Sequence, residues 1–492
     1  MFACVTSAAL VGVEPRPVRV EAHVSGSPSS QDRFNIVGLP DAAIREARQR
    51  VQSAILSAGH SFPKSRVTVN LAPADFPKVG SAYDLPIALG VLAASGSVPQ
   101  PVTRVVALGE LALDGSVRPA RGGLAAGIVA GRRQLPCIVA SDGGGEAALS
   151  GADVRGVTSL AHAVAVGLGQ DDGLVPAPAA KEGVPAGLDL AAVRGQATAR
   201  RAIEIAAAGG HHILLVGPPG AGKTMLARAL PGILPDLTTT EALEVAQAHS
   251  AAGRPPAIGR RPPFRSPHHS TTPAAILGGG SGVPVPGELT LADRGVLFLD
   301  ELAEFPAHLL DTLRQPIEEG RVHIARKGVS VAFPCRVQLV AATNPCPCGY
   351  QEDSRTPCRC TERAVDKYRT RLSGPLLDRF DMRVVVPRVE ASELVGEGGE
   401  GSAAIRARVT MARLLQAERG SLNRALGREA LDALPWSRDA ERHLVGAMDR
   451  LALTARGWDR VRRTARTIAD LAGEETADGE HVLEALGLRR SM

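Results

Sequence analysis

Two hydrophobic periods alternate along the first third of the chain. Val67 to Leu71 and Val105 to Leu111 are apolar, strand-like runs, whereas Ile44, Ala47, Val51, Ile55 and Ala58 fall on one face of a helix that Asp41 caps and Gly59 stops. That alternation predicts an α/β domain over residues 1–168. Farther along, a helical segment at Ala197 to Ala208 precedes the strand Ile213 to Val216, Val296 to Leu299 is apolar at every position, and Val337 to Ala342 is apolar at every position but Gln338. Unbroken apolar strands imply a parallel sheet buried on both faces, placed here in a domain over 189–389. From 403 to 492 only the helical period remains, which predicts a helical bundle. Neither period is present in GQDDGLVPAPAAKEGVPAG or in EASELVGEGGEGS, so 169–188 and 390–402 read as linkers.

Composition agrees with three domains and narrows the function. A chain of 492 residues with 44% hydrophobic content has ample material for several cores. Aromatics make up only 3%, too few for an RNA-binding sheet that stacks bases as its main activity. The net charge of +5 permits a polyanionic partner without requiring one, and 403–492 holds 16 Arg, no Lys and 13 acids. Seven cysteines, four of them between 346 and 360, argue against a disulfide framework and for a reducing, cytoplasmic setting. No run of 18 uncharged apolar residues is present, so no membrane span is expected.

The chemistry concentrates in the middle domain. Gly217-Pro218-Pro219-Gly220-Ala221-Gly222-Lys223-Thr224 fits G-x-x-x-x-G-K-[ST] between a strand and a helix, the setting in which backbone N–H groups and a helix N-terminus cradle phosphate. Lys223 is expected to reach the β- and γ-phosphates of ATP and Thr224 to ligate Mg2+. A second apolar strand ends at Asp300 and Glu301: Asp300 to hold Mg2+ through water, Glu301 to polarise the attacking water. A third ends at Asn344, placed to orient that water.

In order along the chain, GPPGAGKT, RSPHHSTTPAAILGGG, VPGELTLADRGVLFLDELAEF, AATNPCPCGY, RLSGPLLDRFD and RRTARTIADLAG resemble the YifB/ComM family of magnesium-chelatase-like AAA+ ATPases. IVGLPDAAIREARQRVQSAI and the segment from Val67 to Gly96 extend the likeness to the first domain. The resemblance implies a P-loop AAA+ core with a C-terminal helical lid, Arg379 as an arginine finger given to a neighbouring subunit, Arg456 as the sensor 2 arginine, and a homo-hexameric ring. GELALDGSVRPARGGLAAG resembles the ribosomal-S5-like, Lon-protease-like fold, yet Ala82 stands where that fold has its serine, with Ser81 one place early, and Ala125 stands at its lysine. A Ser without a base is a poor nucleophile, so the first domain is expected to bind or assemble and not to cleave peptides.

Residues 321–331 read as a β-hairpin turning at Lys327-Gly328, and in related rings such hairpins face the pore, making Arg326 and Lys327 candidate DNA contacts. His268 and His269, with Gly278 to Gly280, match the family's insertion; lacking a third ligand, the histidines suit a structural or pore-loop role better than a metal. Cys346, Cys348, Cys358 and Cys360 suit a structural Zn2+, with reduced bystander thiols or a redox pair as alternatives. The resemblance implies an ATP-driven DNA motor, a helicase for branch migration in natural transformation or recombination. A metal-chelatase ATPase subunit and a protein-remodelling chaperone are the rivals.

Overall fold

The computed structural model describes residues 1–28, 34–177, 187–254, 259–280, 283–326, 329–351, 353, 355–372, 374–391, 393, 398–451 and 453–489. A long hairpin, Phe2–Val11 against Glu14–Pro28, forms the middle of a seven-stranded mixed sheet. The strand order is Phe34–Val37, Ser65–Ala72, Glu14–Pro28, Phe2–Val11, Val106–Leu108, Cys137–Ala140, Val154–Val157. Alternate residues of a strand face opposite ways, and the two faces are used differently. Ala107 and Ile138 join the core under the helices Ala42–Ser57 and Asp84–Ser95. Val106, Leu108, Cys137 and Val139 join the core under Gly123–Arg133.

Local chemistry sets these elements. Asp41 accepts the Ile44 N–H at 2.9 Å, opening the first helix, and Ile44, Ala47, Val51 and Ile55 are its buried stripe. The long opening hairpin lacks a tight Asn-Gly or Asp-Gly signal, and its pairing is absent from the periodic reading. The stretch read as the first linker begins packed: Leu174 exchanges backbone hydrogen bonds with Gly156 and so extends the first sheet.

The second sheet has five parallel strands in the order Phe264–Arg265, Val296–Leu299, Gln338–Thr343, Ile213–Val216, Met382–Val385. Every residue of the three inner strands is buried, which is why they carry no alternation. Helices Ala197–Gly209 and Lys223–Ile233 cover one face, Ser402–Glu418 and Ala455–Ala472 pack onto them, Gly479–Gly487 packs on Ala455–Ala472, and Arg438–Leu451 packs on Gly479–Gly487. Ile213, Leu215, Val409, Ala465, Ile468 and Val482 belong to one continuous apolar cluster. The protein is thus mixed α/β with a parallel core sheet and C-terminal helices. The first and second sheets are joined through Leu124 and Ile128, which pack on Ala246, and through Ser250, whose hydroxyl donates to Glu146 at 2.5 Å.

Candidate nucleotide site

The phosphate loop leaves the strand Ile213–Val216 at Gly217. A Cβ there would lie 2.1 Å from the Val386 carbonyl oxygen, so the loop tolerates only glycine at this close approach. Gly220 and Gly222 adopt φ of 77° and 90°, left-handed conformations that glycine takes without strain, before the helix starts at Lys223. Gln196, ahead of the preceding helix, braces the loop by donating to the Ala221 carbonyl at 3.1 Å.

Pro219 to Met225, Asp300, Glu301 and Ala342 to Asn344 line a cleft of about 440 Å3. Within it Lys223 Nζ donates to the carbonyls of Gly217 (2.7 Å) and Pro218 (2.9 Å) and to Asn344 Oδ1 (3.2 Å). Burial pushes this ammonium below its usual range, against the pull of Asp300 and Glu301. Thr224 Oγ1 donates to Asp300 Oδ2 at 2.9 Å, and Asp300 Oδ1 accepts the Glu301 N–H at 3.0 Å. Glu301 itself has φ 51°, a left-handed turn at the strand exit that points an exposed carboxylate over the cleft. A buried ammonium held only by neutral oxygens, facing a Thr hydroxyl and a carboxylate, is a donor set that suits a Mg2+-nucleotide.

His269 was not linked to this site by sequence. Its Nδ1 lies 3.5 Å from Glu301 Oε2, its ring packs edge-on against Phe305, and the tilted His268 ring lies against it with centroids 4.0 Å apart. Only the doublet in RSPHHS was visible beforehand, because the contact spans two separate loops.

Three family models match: "Magnesium chelatase, subunit ChlI" over 189–394, "Subunit ChlI of Mg-chelatase" over 20–142, and "Magnesium chelatase, subunit ChlI C-terminal" over 399–489. The chain is 40% identical to competence protein ComM of Haemophilus influenzae, over 99% of this chain and 97% of that protein. It is 40% identical to the uncharacterized protein YifB of Escherichia coli, over 98% of this chain and 96% of that one. The chain belongs to the YifB/ComM family of magnesium-chelatase-like AAA+ ATPases. A shorter match, 27% identical over 36% of this chain and 21% of the other, is to a probable DNA helicase MCM9 of Oryza sativa. ATP and Mg2+ belong to the activity of this YifB/ComM family.

The other candidate residues of this YifB/ComM chain lie apart from the cleft. Arg379 pairs with Glu318 at 2.6 Å, is nearly buried, and lies outside the residues lining its own chain's cleft. Arg456 is exposed in the first turn of Ala455–Ala472, whereas Arg460, one turn on, is buried 3.7 Å from Asp381. The hairpin is present as Arg321–Arg326 paired antiparallel with Val329–Pro334; Arg321, His323 and Arg326 are exposed, and Lys327 and Gly328 lie outside the described residues. Midway along it, Ile324 packs close to Gly278, where a Cβ would lie 3.2 Å from Ile324 Cδ1, so the glycine insertion and the hairpin form one surface. Beside the first sheet, Ala82 in the turn Ser81–Tyr83 and Ala125 in the helix Gly123–Arg133 are buried, and Ser81 donates its hydroxyl to the Glu110 carboxylate. The nearby buried Lys78 donates to the carbonyls of Pro73 and Phe76. Among the described residues no helix is long and apolar enough to cross a membrane.

Proposed function

We propose that this chain is a cytoplasmic, ATP-driven ring motor that acts on single-stranded or branched DNA, a ComM-like helicase for branch migration during transformation or recombination. The observation that carries the ring is Arg379: a cation in the LLDRFD segment that its own nucleotide cleft does not use is suited to a neighbour's. The DNA part draws support from the name of the Haemophilus relative, from the helicase match, and from a hairpin that presents Arg321, His323 and Arg326 to solvent.

In this reading Lys223 and the loop N–H groups hold the phosphates, and Thr224 with Asp300 would hold Mg2+, which neutralises phosphate charge. Glu301 takes a proton from the attacking water, Asn344 orients that water, and Arg379 enters from the adjoining subunit of a homo-hexamer. Arg456 serves as the lid's sensor. The first domain binds or helps assembly; with Ser81 tied to a carboxylate and alanines at positions 82 and 125, no peptidase activity is expected.

Replacing Arg326 and Lys327 together by Ala tests the DNA assignment. Salt-titrated binding to forked DNA should weaken uniformly across sequences, with the slope against log salt falling by about 1 to 2. Basal ATP hydrolysis should persist while DNA stimulation disappears. Unchanged affinity and slope would remove the hairpin from the DNA path, and stimulation by a porphyrin instead of DNA would favour the chelatase reading.

A further inference from the structure

Directly after Asn344 the chain enters a loop with very little apolar material. Among the described residues from 345 to 363, only Cys346 and Gly349 are buried. What gathers the loop is sulfur. Cys346 Sγ lies 3.4 Å from Cys348 Sγ and 3.7 Å from Cys358 Sγ, Cys348 and Cys358 are 3.6 Å apart, and all four sulfurs, Cys360 included, fall within 4.8 Å of one another. A tetrahedral Zn2+ with Zn–S bonds of about 2.3 Å sets its sulfurs about 3.8 Å apart, close to this spacing, whereas a disulfide requires about 2.05 Å.

The backbone around the sulfurs is arranged to suit thiolates. Tyr350 and Arg359 direct N–H groups at Cys348 Sγ, Cys348 directs its own at Cys360 Sγ, and the Cys360 N–H lies 3.5 Å from Cys358 Sγ. Such donors offset the negative charge that four thiolates leave around a divalent ion. The Gly349 N–H closes a turn onto the Cys346 carbonyl at 2.9 Å, and Asp353 ties the far side by accepting from the N–H groups of Arg355 and Thr356.

The turn also touches the nucleotide loop. Gly349 adopts φ 83°, and a Cβ built on it would lie 2.6 Å from Pro219 Cδ and 3.7 Å from Asn344 Cγ. Pro219 belongs to the phosphate loop and Asn344 accepts from Lys223.

We propose that Cys346, Cys348, Cys358 and Cys360 hold one structural Zn2+, and that this centre presses Gly349 against Pro219 and Asn344 so that the metal braces the phosphate loop. Four protein thiolates complete the tetrahedron and leave no open position, so the ion organises and does not catalyse. Each ligating thiol gives its proton to solvent as the metal binds. The bracing half rests on the nucleotide-site reading above; the metal half does not.

Full-length protein purified without chelator should carry about one zinc per chain by elemental analysis. Replacement by Co2+ should give the visible absorption of a tetrahedral thiolate site, lost in Cys348→Ser and in Cys358→Ser. A metal-free wild-type protein whose seven thiols all titrate, or one with a disulfide among these four, overturns the site. Removing the zinc from wild-type protein should lower ATP turnover by about 10- to 100-fold with the far-ultraviolet circular dichroism retained, and adding Zn2+ back should restore it. Turnover and MgADP affinity unchanged by removal overturn the brace. No turnover even in the zinc-loaded protein would instead count against the ATPase reading while leaving the metal count intact.

Discussion

Asp381 joins the core sheet to the C-terminal helices through charge, and its replacement by Asn has a calculable cost. Its carboxylate accepts the His212 N–H at 3.0 Å, faces His211 Nδ1 at 3.6 Å and Arg460 Nε at 3.7 Å, and is almost completely buried. Burial alone would raise its pKa, but the His211 contact, with His212 and Arg424, holds it well below 3.8. Removing one partner of a buried pair costs about 3–5 kcal/mol. Asn retains an oxygen for the His212 N–H, a bond contributing about 1 kcal/mol, so Asp381→Asn should lose about 2–4 kcal/mol at pH 7. Both tryptophans, Trp436 and Trp458, lie in the C-terminal part, so intrinsic fluorescence during urea unfolding reports this region. Because the folded-state pKa is depressed, the stabilisation is complete above the unfolded value of 3.8 and is lost as pH falls toward the folded value. The gap between wild type and variant should therefore shrink by about 1.4 kcal/mol per pH unit below 3.8. His212, kept neutral chiefly by burial, adds a separate loss in both proteins as pH falls below 6.5. A variant within 0.5 kcal/mol of wild type at pH 7, or a gap that ignores acidification, would refute the assignment of this charge as the tie.

Glu301→Gln should keep MgATP binding and reduce hydrolysis at least about 100-fold, whereas Lys223→Ala should lose binding itself; equilibrium binding of a fluorescent ATP analogue alongside phosphate release separates the two. Arg379→Ala should bind ATP normally and turn over poorly, and mixing it with Lys223→Ala protein should recover part of the activity if the arginine serves a neighbour; no recovery at any ratio counts against that. His269→Ala should lower kcat by about 10-fold with little change in KM, since it frees Glu301 without touching the phosphate loop; an equal change in KM would place the ring in binding.

Where neighbouring residues carry the information, the sequence was readable. The unbroken apolar runs at Ile213 to Val216 and Val296 to Leu299 became strands over those same residues, and Asp41 capped the helix whose stripe begins at Ile44. The phosphate loop, Asp300, Glu301 and Asn344 converge on one cleft because each sits at the end of a parallel strand. Less was visible where the determinant is distant. Phe264–Arg265 is an edge strand of two residues, too short for a period to show, and the edge strand Met382–Val385 has its apolar run broken by Arg383. The contact of His269 with Glu301 depends on two loops brought together only by folding. Arg460 and Arg456 are one helical turn apart in an arginine-rich run, and only packing against Asp381 tells them apart.

The apolar cluster shared by Ile213, Leu215, Val409, Ala465 and Val482 has no seam at the Gly/Glu-rich stretch before Ser402. Truncation there would not liberate an ATPase lobe and a helical lobe as independent folders. Each fragment would carry half of a greasy interior to its surface, and the expected product of such a cut is aggregate, recoverable only by expressing the two fragments together.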